Sequence, residues 1–74
     1  MLTRTDYSSD QIVVDRGERI YQDLYREAYE SHFAGQYVVI EVLTKRAYIA
    51  YSAAGAIIKA KTEDPNGLFH LIKI

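Results

Sequence analysis

Two histidines, His32 and His70, are the only imidazoles in a 74-residue chain that has no cysteine. A base beside a hydroxyl suggests nucleophilic catalysis, and Ser31 precedes His32. Residues one apart on a helix point in different directions, however, so Ser31 and His32 form no local dyad. His32 is better read as a helix-end histidine interacting with the final carbonyls. His70 falls inside an apolar run, on the side of Leu68, Ile72 and Ile74, and reads as a partly buried, hydrogen-bonded side chain. Two histidines without cysteines or a carboxylate pattern do not make a zinc site, so neither a metal nor another cofactor is expected. Asp23, Glu27 and Glu30 could do paired-carboxylate work only if buried or unequally solvated. Their helical spacing puts them on a solvated face. Gly55 and Gly67 stand alone, and no glycine-rich phosphate loop exists. No catalytic constellation emerges, and an enzyme is not expected.

The cations and aromatics suggest binding instead. Lys45, Arg46, Lys59 and Lys61, with Tyr48 interleaved, could contact phosphates and stack on bases. The count is small and acids lie close by. Net charge is −1, which argues against strong nonspecific nucleic-acid binding. The charge is uneven: residues 1–36 carry a net −3 and residues 37–74 a net +2. Tyr21, Tyr25 and Tyr29 form a ladder at four-residue spacing, and Tyr37, Tyr48 and Tyr51 come from a hairpin. Tyrosines are common both at core edges and in protein interfaces.

The elements that must position these groups are legible from periodicity. Residues 1–8 read as a loose arm ahead of one domain over 9–74. A helix starts between Ser8 and Asp15; Ser8 and Gln11 have capping-box spacing, while Val13, Val14 and Gly17 weaken the first turns. From Glu18 onward, Ile20, Tyr21, Leu24, Tyr25, Ala28, Tyr29, His32 and Phe33 make one broad apolar stripe, and Ala34-Gly35 ends the helix. Residues 37–51 read as two strands around Thr44-Lys45, pairing Val42 with Ala47, Ile40 with Ile49 and Val38 with Tyr51. Ser52 caps a second helix from Ala53 to about Glu63, with Ile57 as its buried anchor. Asp64-Pro65-Asn66-Gly67 is a turn in which proline stops the helix and glycine supplies positive φ. Leu68 to Ile74 is a third strand.

The expected fold is α+β, in the order α-β-β-α-β, with a three-stranded sheet ordered 2-1-3 and a right-handed crossover through the second helix. Both helices are expected on one face, over Val38, Ile40, Val42 and Ile49. That leaves Tyr37, Val39, Glu41, Leu43, Arg46 and Tyr48 on an outer face, a candidate interface. Edge pairing by the second or third strand is the other route to association. A chain this short has a marginal core, and without disulfides or metal it points to a homo-oligomer, a dimer. There is no segment of membrane-helix length and no signal-peptide pattern, so a cytoplasmic protein is expected.

Gly17-Glu18-Arg19-Ile20-Tyr21, Gly35-Gln36-Tyr37-Val38-Val39-Ile40 and Leu68-Phe69-His70-Leu71-Ile72-Lys73-Ile74 resemble a small uncharacterised prokaryotic family of α-β-β-α-β chains. The hairpin-helix-strand portion is also similar in topology to the partial RNase H fold of HicB-type antitoxins. The uncharacterised prokaryotic family usually has Thr-Gly at the hairpin tip where this chain has Thr44-Lys45, and lysine resists positive φ. The resemblance implies no catalytic residues. Together these readings predict a non-enzymatic, antitoxin-like protein-interaction or regulatory module. The alternative is a nucleic-acid-binding regulator using the hairpin tip and the second helix.

Overall fold

The computed structural model describes residues 11–74. The expected arm over 1–8, and the Ser8 half of the capping box, lie outside the described residues. Helix α1 (Gln11–Ile20), a π-helical turn (Tyr21–Tyr25) and α2 (Arg26–His32) follow one another without a gap. Then come β1 (Tyr37–Glu41), β2 (Arg46–Ala50), α3 (Ala53–Glu63) and β3 (Phe69–Lys73). The strands form one sheet in the order β2-β1-β3, with β1 antiparallel to both neighbours. The α+β class, the element order and the sheet order are as the sequence leads one to expect.

The π-turn explains which residues of the first helix point inward. On an α-helix of 3.6 residues per turn, each four-residue step drifts by about 40°. The wider i→i+5 closure turns less per residue and absorbs that drift. Tyr21, Tyr25 and Tyr29 therefore stay in line above the sheet, Tyr21 buried and the other two half-buried. Aromatic contacts run down the helix, tilted between Tyr25 and Tyr29 with centroids 5.1 Å apart and edge-to-face between Tyr29 and Phe33 at 5.4 Å. Burial raises the Tyr21 and Tyr29 phenols above the ordinary tyrosine range, so both stay neutral. Leu24, Ala28 and His32, expected in the stripe, are exposed because the phase has shifted past them.

The helices do not share a face. Val38 and Ile40 pack with Tyr21, Ile20, Tyr25 and Tyr29 of the first helix. Val39 and Tyr48, on the opposite pleat, pack with Ala56 and Ala60 of α3. The sheet is therefore sandwiched, one helix to a side, which corrects the one-face expectation. The physical reason is that both faces of β1 are apolar, and two helices on opposite sides bury both within one molecule. Ala56 and Ala60, each fully buried, are the contact residues of α3. Ile57, expected as the anchor, is half-buried. Small side chains let the helix lie close on the sheet, which accounts for its alanine content.

The hairpin register differs by two residues from the expected one: Val38 faces Ile49, Ile40 faces Ala47, and Glu41 faces Arg46. A two-residue shift preserves the side-chain faces. The loop is four residues long, Val42 to Lys45, rather than two. It closes with Lys45 N–H donating to Glu41 C=O at 2.8 Å, and Lys45 takes φ 69°. Lysine thus occupies the left-handed position it ordinarily resists.

The helix ends are clean. Gly35 (φ 91°) provides the left-handed stop after α2. Ser52 Oγ accepts from the Gly55 N–H at 3.0 Å and caps α3. Ser52→Ala should lower stability by about 1 kcal/mol, read as a reduced urea midpoint at unchanged slope. Gly67 is not at positive φ, contrary to expectation; a Cβ there would lie 2.6 Å from the Phe69 ring and 2.7 Å from Glu41 Cγ. Its glycine is required by crowding.

Candidate functional site

The six residues expected to form an outer interface do not share a surface. Val39 and Glu41 are fully buried and Tyr48 is 8% exposed, beneath α3. Tyr37 is half-buried, with the Lys73 ammonium 5.8 Å above its ring. Only Leu43 and Arg46 are exposed, at the hairpin end. The sheet-face interface is therefore corrected: α3 already covers that face.

Glu41 has a different role. One carboxylate oxygen accepts from the Thr44 N–H and the other from the Leu68 N–H, both at 2.7 Å. It thereby ties the hairpin loop to the turn entering β3. Burial alone would push this carboxyl up. The bonds from Leu68, Thr44 and Leu43 outweigh it and hold the pKa below the ordinary glutamate value.

The histidines are placed as expected, with one addition. His32 Nδ1 lies 2.9 Å from the Ala28 carbonyl oxygen. His70 Nε2 lies 2.7 Å from Glu18 Oε2, a pairing across 52 residues. Gly17 makes this possible: a Cβ there would sit 2.6 Å from His70 Cβ, so glycine lets α1 lie directly on β3. The glycine inside an otherwise apolar helical stripe was the sequence signal for this contact. Among the described residues, no cluster of three or more His, Cys, Asp or Glu could hold a metal. No described helix is long and apolar enough to cross a membrane.

The four candidate phosphate-contacting cations are divided between elements. Lys45 and Arg46 are exposed at the hairpin end, while Lys59 and Lys61 are on α3. Lys59 Nζ donates to the Ile49 carbonyl at 2.6 Å. Lys45 instead lines a cleft of ≈ 250 Å³ with Arg16, Arg19, Ile20, Asp23, Leu24 and Val42. That cleft opens on the first-helix side of the sheet, the side opposite α3.

The two sheet edges are treated differently. Val42 N–H donates to Leu68 C=O and Ile74 N–H to Gln36 C=O. Antiparallel ladders alternate, so Leu68, His70, Ile72 and Ile74 turn their backbone groups toward β1. Phe69, Leu71 and Lys73 turn theirs outward. On β2 the same alternation turns Ala47 and Ile49 outward, and there Lys59 occupies the Ile49 carbonyl. No such bond covers the outward groups of β3 among the described residues. Lysine often guards an exposed edge, but Lys73 is folded back over Tyr37. Leu71, at the middle of this edge, is 38% exposed.

No protein-family model, curated protein or solved structure matches the chain.

Proposed function

We propose that this protein is a small non-enzymatic interaction module, antitoxin-like in acting as a compact regulatory partner, that associates by strand addition at the open edge of β3. The observation that carries this reading is the outward row of backbone groups at Phe69, Leu71 and Lys73, all open on β3, whereas on β2 Lys59 occupies the Ile49 carbonyl. Main-chain bonding supplies affinity in such pairing, and alternate side chains supply selectivity.

A second copy of the chain fits this edge. Antiparallel pairing about a two-fold axis at Leu71 sets Leu71 against itself, Phe69 against Lys73 and His70 against Ile72. Three backbone pairs each exchange two hydrogen bonds, and no like charges oppose one another. The result is a six-stranded sheet, and the exposed Leu71 side chains cover each other. Backbone bonds contribute about 0.5–1.5 kcal/mol each, against an association cost of about 4 kcal/mol or more. The dimer is therefore weak.

Sedimentation equilibrium tests it. The average mass of the wild-type chain should rise between about 10 µM and 1 mM, a range set by the affinity scale. Leu71→Lys should remain a monomer with a near wild-type unfolding midpoint. A wild-type chain that stays monomeric throughout removes the self-pairing reading.

Nucleic-acid binding is kept as a second reading because Lys45 and Arg46 are exposed together at the hairpin end. The part assigned to α3 loses support, since Lys59 is engaged with Ile49. Retention on DNA or RNA that weakens steeply with salt would favour it.

A further inference from the structure

We propose that the cleft between the first helix and the hairpin tip binds a small anion carrying a compact apolar group, with a phosphate or carboxylate head. The cleft measures ≈ 250 Å³ and is lined by three cations, Arg16, Arg19 and Lys45, and one acid, Asp23. The side chains of these four make no ion pair or hydrogen bond with another described residue. The remaining lining is apolar: Ile20, Leu24 and Val42. Leu24 is 57% exposed, a large apolar side chain facing solvent beside unpaired charges. An excess of positive charge next to an apolar surface matches a ligand with an anionic end and an apolar end. The volume is below that of a drug-sized site, so the ligand is small. Arg16 and Arg19 also border a shallower hollow with Asp15, whose carboxylate accepts from Gln11 Nε2 at 2.9 Å.

Two features of the backbone frame the same cleft. One wall is the end of α1, from Arg16, together with the π-turn, and π-turns inside α-helices recur at functional sites. On the other wall Lys45 sits at φ 69°, where glycine would be unstrained and lysine is not. The Tyr25 hydroxyl, from the π-turn, donates to the Lys45 carbonyl and holds the two walls together. A lysine in a backbone conformation suited to glycine, with its side chain lining the cleft, points to use of that side chain.

The cleft uses no group of β3, so this proposal stands apart from strand addition. The test is an NMR titration of the full chain with phenyl phosphate and with phenylacetate, and with inorganic phosphate and phenol as half-ligands. At least one of the two complete anions should shift the Lys45 amide and the Ile20, Leu24 and Val42 methyl groups saturably. Phosphate alone and phenol should each bind about tenfold more weakly or less. Lys45→Gly should weaken binding at least about tenfold, close to 1.4 kcal/mol, and leave the unfolding midpoint equal to or above wild type. Arg19→Gln should give a similar loss. The same titration on Leu71→Lys should be unchanged, which separates this result from any failure of edge pairing. The proposal is overturned if neither anion shifts those groups, if phosphate alone binds as well as the complete anions, if Lys59 and Lys61 respond equally, or if Lys45→Gly binds as wild type does.

Discussion

Replacing Glu41 by alanine should cost about 2–4 kcal/mol of stability, because it leaves two part-buried backbone donors without their acceptor and a void where a fully buried side chain stood. The donors are Thr44 N–H and Leu68 N–H, each 2.7 Å from a carboxylate oxygen. Native stability for a chain of this size is only about 4–11 kcal/mol, so the loss is a large fraction of the whole. Urea unfolding followed by circular dichroism measures it. Glu41→Gln keeps the shape but offers one of the two N–H groups a donor instead of an acceptor, and should cost about 2 kcal/mol.

The same carboxylate gives a pH dependence whose sign follows from its lowered pKa. The unfolded chain takes up the proton near pH 4.3, and the folded chain only at lower pH. The unfolded state therefore binds more protons in that window. The stabilisation is complete above the unfolded value and is lost as pH falls through the folded value. Wild-type urea midpoints should drop from about pH 5 downward, and the Glu41→Gln variant should show a flatter acid limb. Parallel acid limbs for the two proteins would remove the latch role of Glu41.

Gly17→Ala should destabilise the protein by about 1–2 kcal/mol, although alanine is the better helix former by about 1 kcal/mol. The added methyl would lie 2.6 Å from His70 Cβ and 2.8 Å from the imidazole ring. No rotamer change at His70 moves its Cβ, so α1 must lift from β3. That lift also lengthens the His70–Glu18 contact, now 2.7 Å. Crowding outweighs propensity here because the clash is with atoms anchored to the sheet. An unfolding midpoint at or above that of wild type would mean that α1 does not rest on β3 at this point.

Several features of the fold could be read from residue order. The β-branched and aromatic runs of Tyr37–Glu41 and Arg46–Ala50, the Ser52 cap and the Pro65 stop mark elements whose determinants are local. Gly35 ended the first helix for the expected reason. The side of the sheet on which each helix packs is not local. Val39 and Tyr48 look like an exposed apolar face until the alanines at 56 and 60 are seen to be fully buried against them. The hairpin register slipped by two because a four-residue loop depends on Glu41 capping Thr44 and on lysine accepting a left-handed conformation. Period two cannot detect such a slip, since it leaves every side chain on its face.

Of the candidate sites, the third-strand edge was legible as a possibility, and the structure distinguishes it from the β2 edge through Lys59. The cleft was not legible. It joins Arg16 and Arg19 of α1 and Leu24 of the π-turn to Lys45 of the hairpin loop, and neither that approach nor a π-turn has a signature in apolar spacing. Glu41 was visible as an acid interrupting an apolar strand. Its role depends on Leu68, which is 27 residues away.

Amide hydrogen exchange across a concentration series tests the edge-pairing claim most directly. His70 and Ile72, bonded to β1, should be protected at every concentration. The Phe69, Leu71 and Lys73 amides should exchange freely in dilute protein and slow together as concentration rises, with Leu71, on the axis, among them. Rates at those three positions that do not change with concentration would contradict it.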